Sequence, residues 1–148
     1  MKMYALLLAA AGLLIAAEAP QDEATKKELE KMQGDWVMVE STHDGKKMSN
    51  EDVKLFKRTV KNDRYTITRG GEVIGEGTFK LDPTKKPKTI EAVRTAGPDK
   101  DKPMLGIYEV EGDTYKVCLA LPGEERPKAF ESKEGTKHTV SIWKKAGK

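Results

Sequence analysis

The chain has 148 residues, of which 34% are charged and 6% aromatic, and its formal net charge is +3. This length fits a single domain with one core of modest size. Because so small a net charge does not provide the strongly basic surface of a nucleic-acid-binding domain, we expect no nucleic-acid partner. The basic clusters near Lys85 and Lys144 are interpreted as an exposed loop and the chain terminus.

Residues 1–17 have the pattern of a secretory signal peptide. Lys2 precedes an uncharged apolar run that is shorter than the ~20 residues of a membrane-spanning helix. Cleavage is expected after Ala17, since a cut after Ala19 would leave Pro20 beside the scissile bond; retention of the segment as an anchor is the alternative. We therefore expect an exported protein, periplasmic or extracellular, with no integral membrane span after cleavage.

The next segment is predicted to be a leader followed by two short helices. Residues 18–25 are polar and indicate a flexible leader. A helix is expected from Thr25 to Gln33, because Thr25 and Glu28 have the spacing of a capping box and Gly34 is a typical helix end. A second, brief helix is expected to begin after Ser49, a good N-cap residue.

From Gly34 onward, turn signals at near-regular spacing divide the chain into about nine short strands. The first, Gly34 to about Thr42, has apolar residues on both sides and is expected to be covered, at least in part, on both faces. Ala129–Glu131 is predicted to be a short strand, and His138–Lys144 alternates as a longer one.

Two turn dipeptides, Asn-Asp and Gly-Gly, predict successive hairpins in this region. The first turn places Val60 opposite Tyr65. The second places Ile67 opposite Ile74. Both registers pair residues of like character, which favours them over their one-residue slips.

The clearest hairpin lies within Met104–Phe130, where Gly112-Asp113 forms a two-residue hairpin loop. This register sets Glu109 opposite Lys116 as a cross-strand ion pair. A one-residue slip would mix buried and solvated side chains, so the register is well specified. Ile107 and Cys118 share the face of the ion pair. The other face is expected to hold Tyr108, Val110, Tyr115 and Val117.

Residue types that carry catalysis or bind metals do not occur at useful spacing. The two histidines, His43 and His138, lie in separate segments without a spaced ligand partner. Cys118 is the only cysteine; we expect it to be half-buried and inert, with pairing between chains left open. No carboxylate stands in an apolar sequence setting, and no Gly-rich phosphate loop or Gly-x-Ser-x-Gly motif is present. We therefore expect no enzymatic activity, metal or cofactor.

These patterns together predict an all-β fold. There is no alternation of strands with long helices, and sequential hairpins favour an up-and-down meander whose closure removes exposed strand edges. The expected structure is a small antiparallel β-barrel of about eight to ten strands with a short N-terminal helix, formed as one domain by residues 26–146.

Gly34-Asp35-Trp36, after a short helix and at the start of the first strand, resembles the Gly-x-Trp signature of lipocalins and their calycin relatives. The resemblance implies that Gly34 and Trp36 are structural and that Trp36 closes one end of a barrel. A basic residue from the last strand often packs on that tryptophan. Lys144 or Lys145 would serve here, where the family more usually has arginine.

Three longer blocks resemble a family of small exported domains of unknown function, known mainly from planctomycete bacteria and regarded as lipocalin-like. The blocks are Leu29–Trp36, Gly77–Ile90 and Gly106–Pro127. This resemblance implies the barrel fold and export. It implies no activity, substrate or catalytic residue.

Two hypotheses for function stay open. A closed barrel of this size holds one small, apolar or amphipathic molecule in its lumen, or its lumen is filled by side chains. Gly75 and Gly77, inside one strand, predict a bulge or bend, or else the close approach of a ligand. The candidate lining residues are Tyr65, Tyr108, Val110 and Tyr115.

The second hypothesis is an envelope interaction or structural module, or an inhibitor of an envelope enzyme, that acts through its surface. It predicts an exposed apolar patch, or a conspicuous loop such as Asp82–Pro87 or Pro122–Pro127. In the second loop, Glu124, Glu125 and Arg126 stand between two prolines. Gly112 and Asp113 are assigned a structural role in the hairpin turn. The sequence leaves the oligomeric state open.

Overall fold

The computed structural model describes residues 20–147, so the predicted signal peptide lies outside the described residues. Nearly all of the described chain between residues 34 and 119 belongs to strands and their short connections. The elements, in chain order, are α1 (Pro20–Met32), β1 (Gly34–His43), β2 (Lys46–Lys47), α2 (Asn50–Val53), β3 (Phe56–Lys61), β4 (Arg64–Arg69), β5 (Glu72–Asp82), β6 (Lys88–Arg94), β7 (Pro103–Glu111), β8 (Thr114–Leu119) and β9 (Thr139–Lys145).

The strands form a closed, all-antiparallel, up-and-down barrel, as predicted. Eight strands follow one another around it in the order β1-β3-β4-β5-β6-β7-β8-β9, and β9 pairs with β1 to close it. The two-residue strand β2 pairs only with the end of β1. Closure pairs the edge strands with each other, which removes the exposed edges of an open sheet.

Helix α1 begins at Pro20, earlier than the predicted start at Thr25. Residues 20–25, expected to belong to a flexible leader, are therefore helical. A proline is compatible with the first helical turn because the N–H that it lacks would have no partner there. The second helix begins as predicted: the Ser49 hydroxyl accepts a hydrogen bond from the Asp52 N–H at 3.2 Å.

The β7–β8 register is confirmed. Glu109 lies opposite Lys116, and their Oε1 and Nζ atoms are 3.6 Å apart. The inward-facing residues Tyr108, Val110, Tyr115 and Val117 are all buried.

The outer face of this hairpin is covered as well, so Cys118 is fully buried rather than half-buried. Residues 120–131 run along the outside of the barrel, and residues 132–138 continue to the β1–β2 turn, where the Gly135 and Lys137 N–H groups donate to Asp44 Oδ1. The Cys118 Sγ lies 3.5 Å from the Glu131 carbonyl oxygen, and the Lys116 Nζ lies 4.9 Å from the centre of the Phe130 ring. The prediction of a strand at Ala129–Glu131 is wrong: this segment covers the barrel wall without joining the sheet.

The β3–β4 register is confirmed, with Val60 opposite Tyr65. The β4–β5 register next to the Gly70-Gly71 turn is the expected one, with Arg69 opposite Glu72, but farther along the strands Ile67 lies opposite Gly75 rather than Ile74. A bulge inserts Ile74 as an extra residue, which leaves its side chain 48% exposed. The bulge predicted from Gly75 and Gly77 is therefore present, and its extra residue is Ile74, immediately before Gly75.

β1 is covered on its outer face only in part, since Val37 is half-buried there but Val39 is exposed. Trp36 and Met38 point into the core and are buried, whereas Val39 is 41% exposed. The register between β1 and β9 shifts between Met38 and Glu40, so Val39 lies at an irregularity of the ladder. The exposure of its apolar side chain therefore reflects a local bulge.

The end of the barrel beside α1 is closed. The Trp36 Nε1–H donates a hydrogen bond to the Met32 carbonyl oxygen at 2.9 Å. The Lys145 Nζ lies 4.7 Å from the centre of the Trp36 ring and donates to the Gln33 carbonyl oxygen at 2.6 Å. Lys145 thus takes the place of the basic residue that the lipocalin resemblance implied. Neither helix within residues 20–147 is long and apolar enough to cross a membrane.

Candidate ligand site in the barrel lumen

The barrel contains a cavity of about 370 Å³ that opens at the end opposite α1. Cavities of about 300–1,000 Å³ are the usual size of small-molecule sites. Tyr65 and Tyr115, two of the four predicted lining residues, line it. Tyr108 and Val110 are not among its lining residues and lie nearer the end covered by α1. The apolar lining includes Met38, Phe56, Ile67, Ile90, Met104 and Leu119.

Small residues at inward positions of β5 and β6 leave room for this cavity. Gly75 and Ala92 both line it, and no described atom lies within 4 Å of a Cβ built on Gly75. Gly77 has a different role, since a Cβ there would collide with the Val93 carbonyl oxygen and lie 2.9 Å from the Tyr65 hydroxyl. Of the two glycines, Gly75 therefore opens the lumen and Gly77 makes room for Tyr65.

Arg58 reaches the cavity from β3 and is only 6% exposed. Alternation along β3 turns Arg58 inward together with the buried Val60. The guanidinium carbon lies 5.1, 5.7 and 5.0 Å from the ring centres of Tyr65, Phe79 and Tyr115. These distances are within the range of cation–π contacts.

Sequence analysis missed Arg58, although a signal was present. Val60 was predicted to pair inward with Tyr65, and Arg58 stands two residues before Val60 on the same strand. Period-two alternation then places Arg58 on the inner face. An arginine among inward positions is unusual, because charged residues are rarely buried without a partner.

Two buried side-chain atoms within residues 20–147 lack a hydrogen-bond partner, and both belong to residues that line the cavity. They are the Nε of Arg58 and the hydroxyl oxygen of Tyr115. In the same part of the chain, no carboxylate lies within ion-pair distance of Arg58. Burial of an unpaired charge and an unpaired hydroxyl is unfavourable, so this region of the lumen is electrostatically suited to an acceptor.

The charged side chains among the described residues that line the cavity are all basic, and none of these residues carries a carboxylate. His43, Arg94 and Lys137 lie toward its open end, and Arg58 lies deeper. Burial raises the pKa of Tyr65, although Arg58 and Arg94 oppose that rise. Burial likewise raises the pKa of Tyr115, again opposed by Arg58. Both hydroxyls therefore stay protonated at neutral pH and are available as donors.

Tyr108 has a structural partner at the closed end. Its hydroxyl donates to Glu28 Oε1 at 3.0 Å, and the Lys88 Nζ donates to the same oxygen at 2.7 Å. The Lys31 Nζ donates to Glu28 Oε2 at 3.0 Å. Burial raises the pKa of Glu28, but these hydrogen bonds outweigh burial, and the pKa is lowered below its usual range. Sequence analysis missed this buried carboxylate because all its partners except Lys31 are remote in the chain.

In the loop Pro122–Pro127, Arg126 is a structural anchor. Its Nη1 donates to the carbonyl oxygens of Ile90 at 2.9 Å and Gly106 at 2.6 Å. Glu124 and Glu125 are exposed. A depression of about 550 Å³ beside them is larger than the lumen cavity, but it is more open and its lining is rich in exposed charged side chains. It offers a ligand less desolvation than the lumen does.

The structure brings the segments of the two histidines together, since His43 lies opposite Thr139 in the β1–β9 ladder. The His43 Nδ1 lies 2.7 Å from the Thr139 hydroxyl, and the His138 carbonyl oxygen accepts a hydrogen bond from the Ser132 hydroxyl at 2.6 Å. Within residues 20–147, no three His, Cys, Asp or Glu side chains converge as metal ligands would.

Strand order, closure between β1 and β9, and the cavity define a small lipocalin-like β-barrel protein. Comparison of the chain with protein-family models, curated proteins and solved structures finds no match. The barrel is thus shown by its own strand order. The narrower resemblance to the planctomycete domain family rests on the sequence blocks alone.

Proposed function

We propose that this protein binds a small, mainly apolar molecule in the barrel lumen. The cavity of about 370 Å³ carries this proposal, because it is lined by apolar side chains and closed at one end by the α1 side of the barrel. A water molecule occupies ~30 Å³ of liquid, so the space suits a ligand of about a dozen non-hydrogen atoms. The signal-peptide pattern supports a setting outside the cytoplasm, in the periplasm or the extracellular space.

The position of exposed apolar residues also favours a ligand-binding barrel over a surface module. Ile74 and Leu121 line the open end of the cavity although they are exposed to solvent, and Val73 adjoins Ile74. An apolar rim at the mouth is suited to the passage of an apolar ligand.

The charged loop offers weaker support for a surface module. Arg126 anchors the loop to β6 and β7 through backbone carbonyl oxygens, which gives the loop a structural role. Its exposed acidic residues, Glu124 and Glu125, are ordinary for a solvated loop. The lumen is therefore the better candidate for function.

The test is binding of a small neutral apolar fluorophore, 1-aminonaphthalene, to the purified protein; its 11 non-hydrogen atoms are within the limit of about a dozen set by the cavity volume. We expect the wild type to enhance its fluorescence and Gly75→Phe to weaken binding at least about tenfold, because the new ring fills the lumen. Glu76→Phe is the matched control, since it adds the same ring at the neighbouring outward position. Circular dichroism and urea unfolding verify that both variants fold.

No binding by wild-type protein would overturn the proposal. So would equal binding by folded Gly75→Phe and Glu76→Phe, because the fluorophore would then occupy a surface site. A crystal structure of Gly75→Phe showing the ring inside the lumen makes this comparison decisive.

A further inference from the structure

Building on the proposed lumen function, we propose that the ligand is an amphipathic carboxylic acid whose carboxylate pairs with Arg58 and Tyr115 inside the barrel. Its apolar chain then runs along the lumen toward the open end. This narrows the proposed class of ligand from mainly apolar molecules to apolar molecules with one anionic head group.

The first observation is that two donors in the lumen lack partners. Arg58 is 6% exposed and Tyr115 is 0% exposed, and each has a buried polar atom without a hydrogen-bond partner among the described residues. Buried polar groups in proteins are nearly always hydrogen-bonded, so two unpartnered ones at a single cavity call for a functional explanation. Both residues donate, and an acceptor is the complementary group.

The second observation is the charge of Arg58. The rings of Tyr65, Phe79 and Tyr115 surround the guanidinium, and their π-faces offset only part of the desolvation of a full charge. A methionine at position 58 would fill a similar volume without that cost. An anion in the lumen supplies the missing charge and forms charge-assisted hydrogen bonds with the guanidinium.

The third observation is the charge of the rest of the lining. Among the described residues around the cavity, none is Asp or Glu, whereas Arg94 and Lys137 are cationic and lie toward its mouth. Their field attracts an anion to the open end and then along the lumen. A cationic ligand would meet like charge throughout.

The shape of the site favours a carboxylate on a short apolar chain. A planar carboxylate matches the fork of a guanidinium and has a free lone pair for the Tyr115 hydroxyl. The apolar walls beyond Arg58 match an alkyl or ring body. The volume limits the whole molecule to about a dozen non-hydrogen atoms, which is the size of decanoate.

The experiment compares decanoate, decan-1-ol and decylammonium in titrations of the purified protein. Intrinsic fluorescence provides one signal because Trp143 lines the cavity, and calorimetry provides the second. We expect wild-type protein to bind decanoate about 10- to 100-fold more tightly than decan-1-ol, with decylammonium weakest.

Three variants assign the preference to named groups. Arg58→Met should abolish the preference for decanoate over decan-1-ol, and Tyr115→Phe should reduce it about tenfold through loss of one hydrogen bond to a charged group. Arg64→Met removes the same charge from an exposed position of β4 that does not line the cavity, so its preference should remain that of the wild type.

A readout on the free protein separates a binding role of Arg58 from a structural one. With a binding role, Arg58→Met leaves the urea midpoint of the free protein unchanged or raises it, because an unpaired buried charge is removed. A lower midpoint together with an unchanged ligand preference would overturn the inference. If Arg58→Met does not fold, the inference is decided on Tyr115→Phe and on a crystal structure of the wild type with bromine-labelled decanoate.

The outcomes distinguish this inference from the proposed function. Equal binding of decanoate and decan-1-ol would overturn the anion site and leave the apolar lumen standing. Absence of binding by both would overturn the two together. Bromine density in the lumen with the carboxylate on Arg58 would support the inference, and a reversed orientation with the carboxylate at the mouth would overturn it.

Discussion

The Tyr108 hydroxyl lies 3.0 Å from the Glu28 carboxylate, although the two residues are 80 positions apart in the chain. This hydrogen bond joins α1 to β7, and Lys88 joins the same carboxylate to β6 at 2.7 Å. Glu28 is therefore the polar link that fixes α1 against the closed end of the barrel. Hydrogen bonds to a buried charged group are worth more than those between neutral groups, about 1.5–3 kcal/mol each against ~1.

The first prediction concerns this link. Glu28→Gln should lower the free energy of unfolding by about 1–3 kcal/mol, because charge-assisted hydrogen bonds become neutral ones. Urea unfolding followed by circular dichroism measures it. Glu30→Gln, at an exposed position of the same helix, is the control. Equal midpoints for the two variants would show that Glu28 does not anchor α1.

Wild-type protein and Glu28→Gln together also test how the stabilisation by Glu28 depends on pH. The folded state lowers the pKa of Glu28 below its ordinary value of 4.5, so the unfolded chain takes up a proton before the folded one does. The contribution of the Glu28 carboxylate to the free energy of unfolding is therefore fully present above pH 4.5. It is lost as the pH falls through the lowered pKa of the folded state. We expect the stability difference between wild type and Glu28→Gln to shrink in that acidic range. A difference that stays constant down to strong acid would contradict this.

The second prediction compares two neighbouring glycines. Gly77→Ala should destabilise the protein by about 1–3 kcal/mol or more, because its Cβ collides with the Val93 carbonyl and lies 2.9 Å from the Tyr65 hydroxyl. Gly75→Ala should be neutral or stabilise by up to about 1 kcal/mol, since its Cβ points into open space. Thermal unfolding of both variants measures the contrast, and similar melting temperatures would contradict it.

The third prediction concerns the loop over Cys118. Burial raises the pKa of this thiol and hides it from reagents, so a disulfide reagent should label the native protein only when residues 120–138 open. Arg126→Met removes two hydrogen bonds that hold the loop, and labelling should accelerate about tenfold. The exposed neighbour Lys128 provides the control Lys128→Met. Rapid labelling of the wild type would contradict the burial.

The fourth prediction concerns the basic residue on Trp36. Lys145→Met should lower the free energy of unfolding by about 0.5–2 kcal/mol through loss of the cation–π contact, with a further loss from the hydrogen bond to Gln33. Lys145→Arg should retain most of the stability. Lys144→Met is the control, since the Lys144 Nζ bonds only an exposed hydroxyl of Thr114. A larger loss in the control would refute the assignment.

Much of the barrel was predictable because the residues that determine each hairpin lie close together in the sequence. The Gly112-Asp113 turn fixes the β7–β8 register, and the pairing of Glu109 with Lys116 follows within a few residues of it. Gly75 and Gly77 indicated a bulge, but the register shift at Ile74 was missed because such a shift depends on how two strands curve around a barrel. The wrong strand at Ala129–Glu131 has a similar cause: alternation does not tell a strand from a segment that covers one.

The candidate site was only half predictable. Alternation along the strands predicted that Tyr65 and Tyr115 face the lumen. Tyr108 and Val110 also face inward, but they do not line the cavity because they lie at the end that α1 closes, and the packing of α1 was not predictable. The alternation of β3 could have predicted that Arg58 faces inward. That its Nε lacks a hydrogen-bond partner is visible only in the three-dimensional structure.

The closure of β9 on β1 has a consequence for the order of events during biosynthesis. Trp36 pairs with Lys145, so the first and last strands of the barrel are neighbours. A nascent chain that lacks β9 keeps two unpaired edges and an uncovered Trp36 ring, however many hairpins it has formed. Assembly must therefore wait for nearly the whole polypeptide, and long-range pairing of this kind makes folding slow.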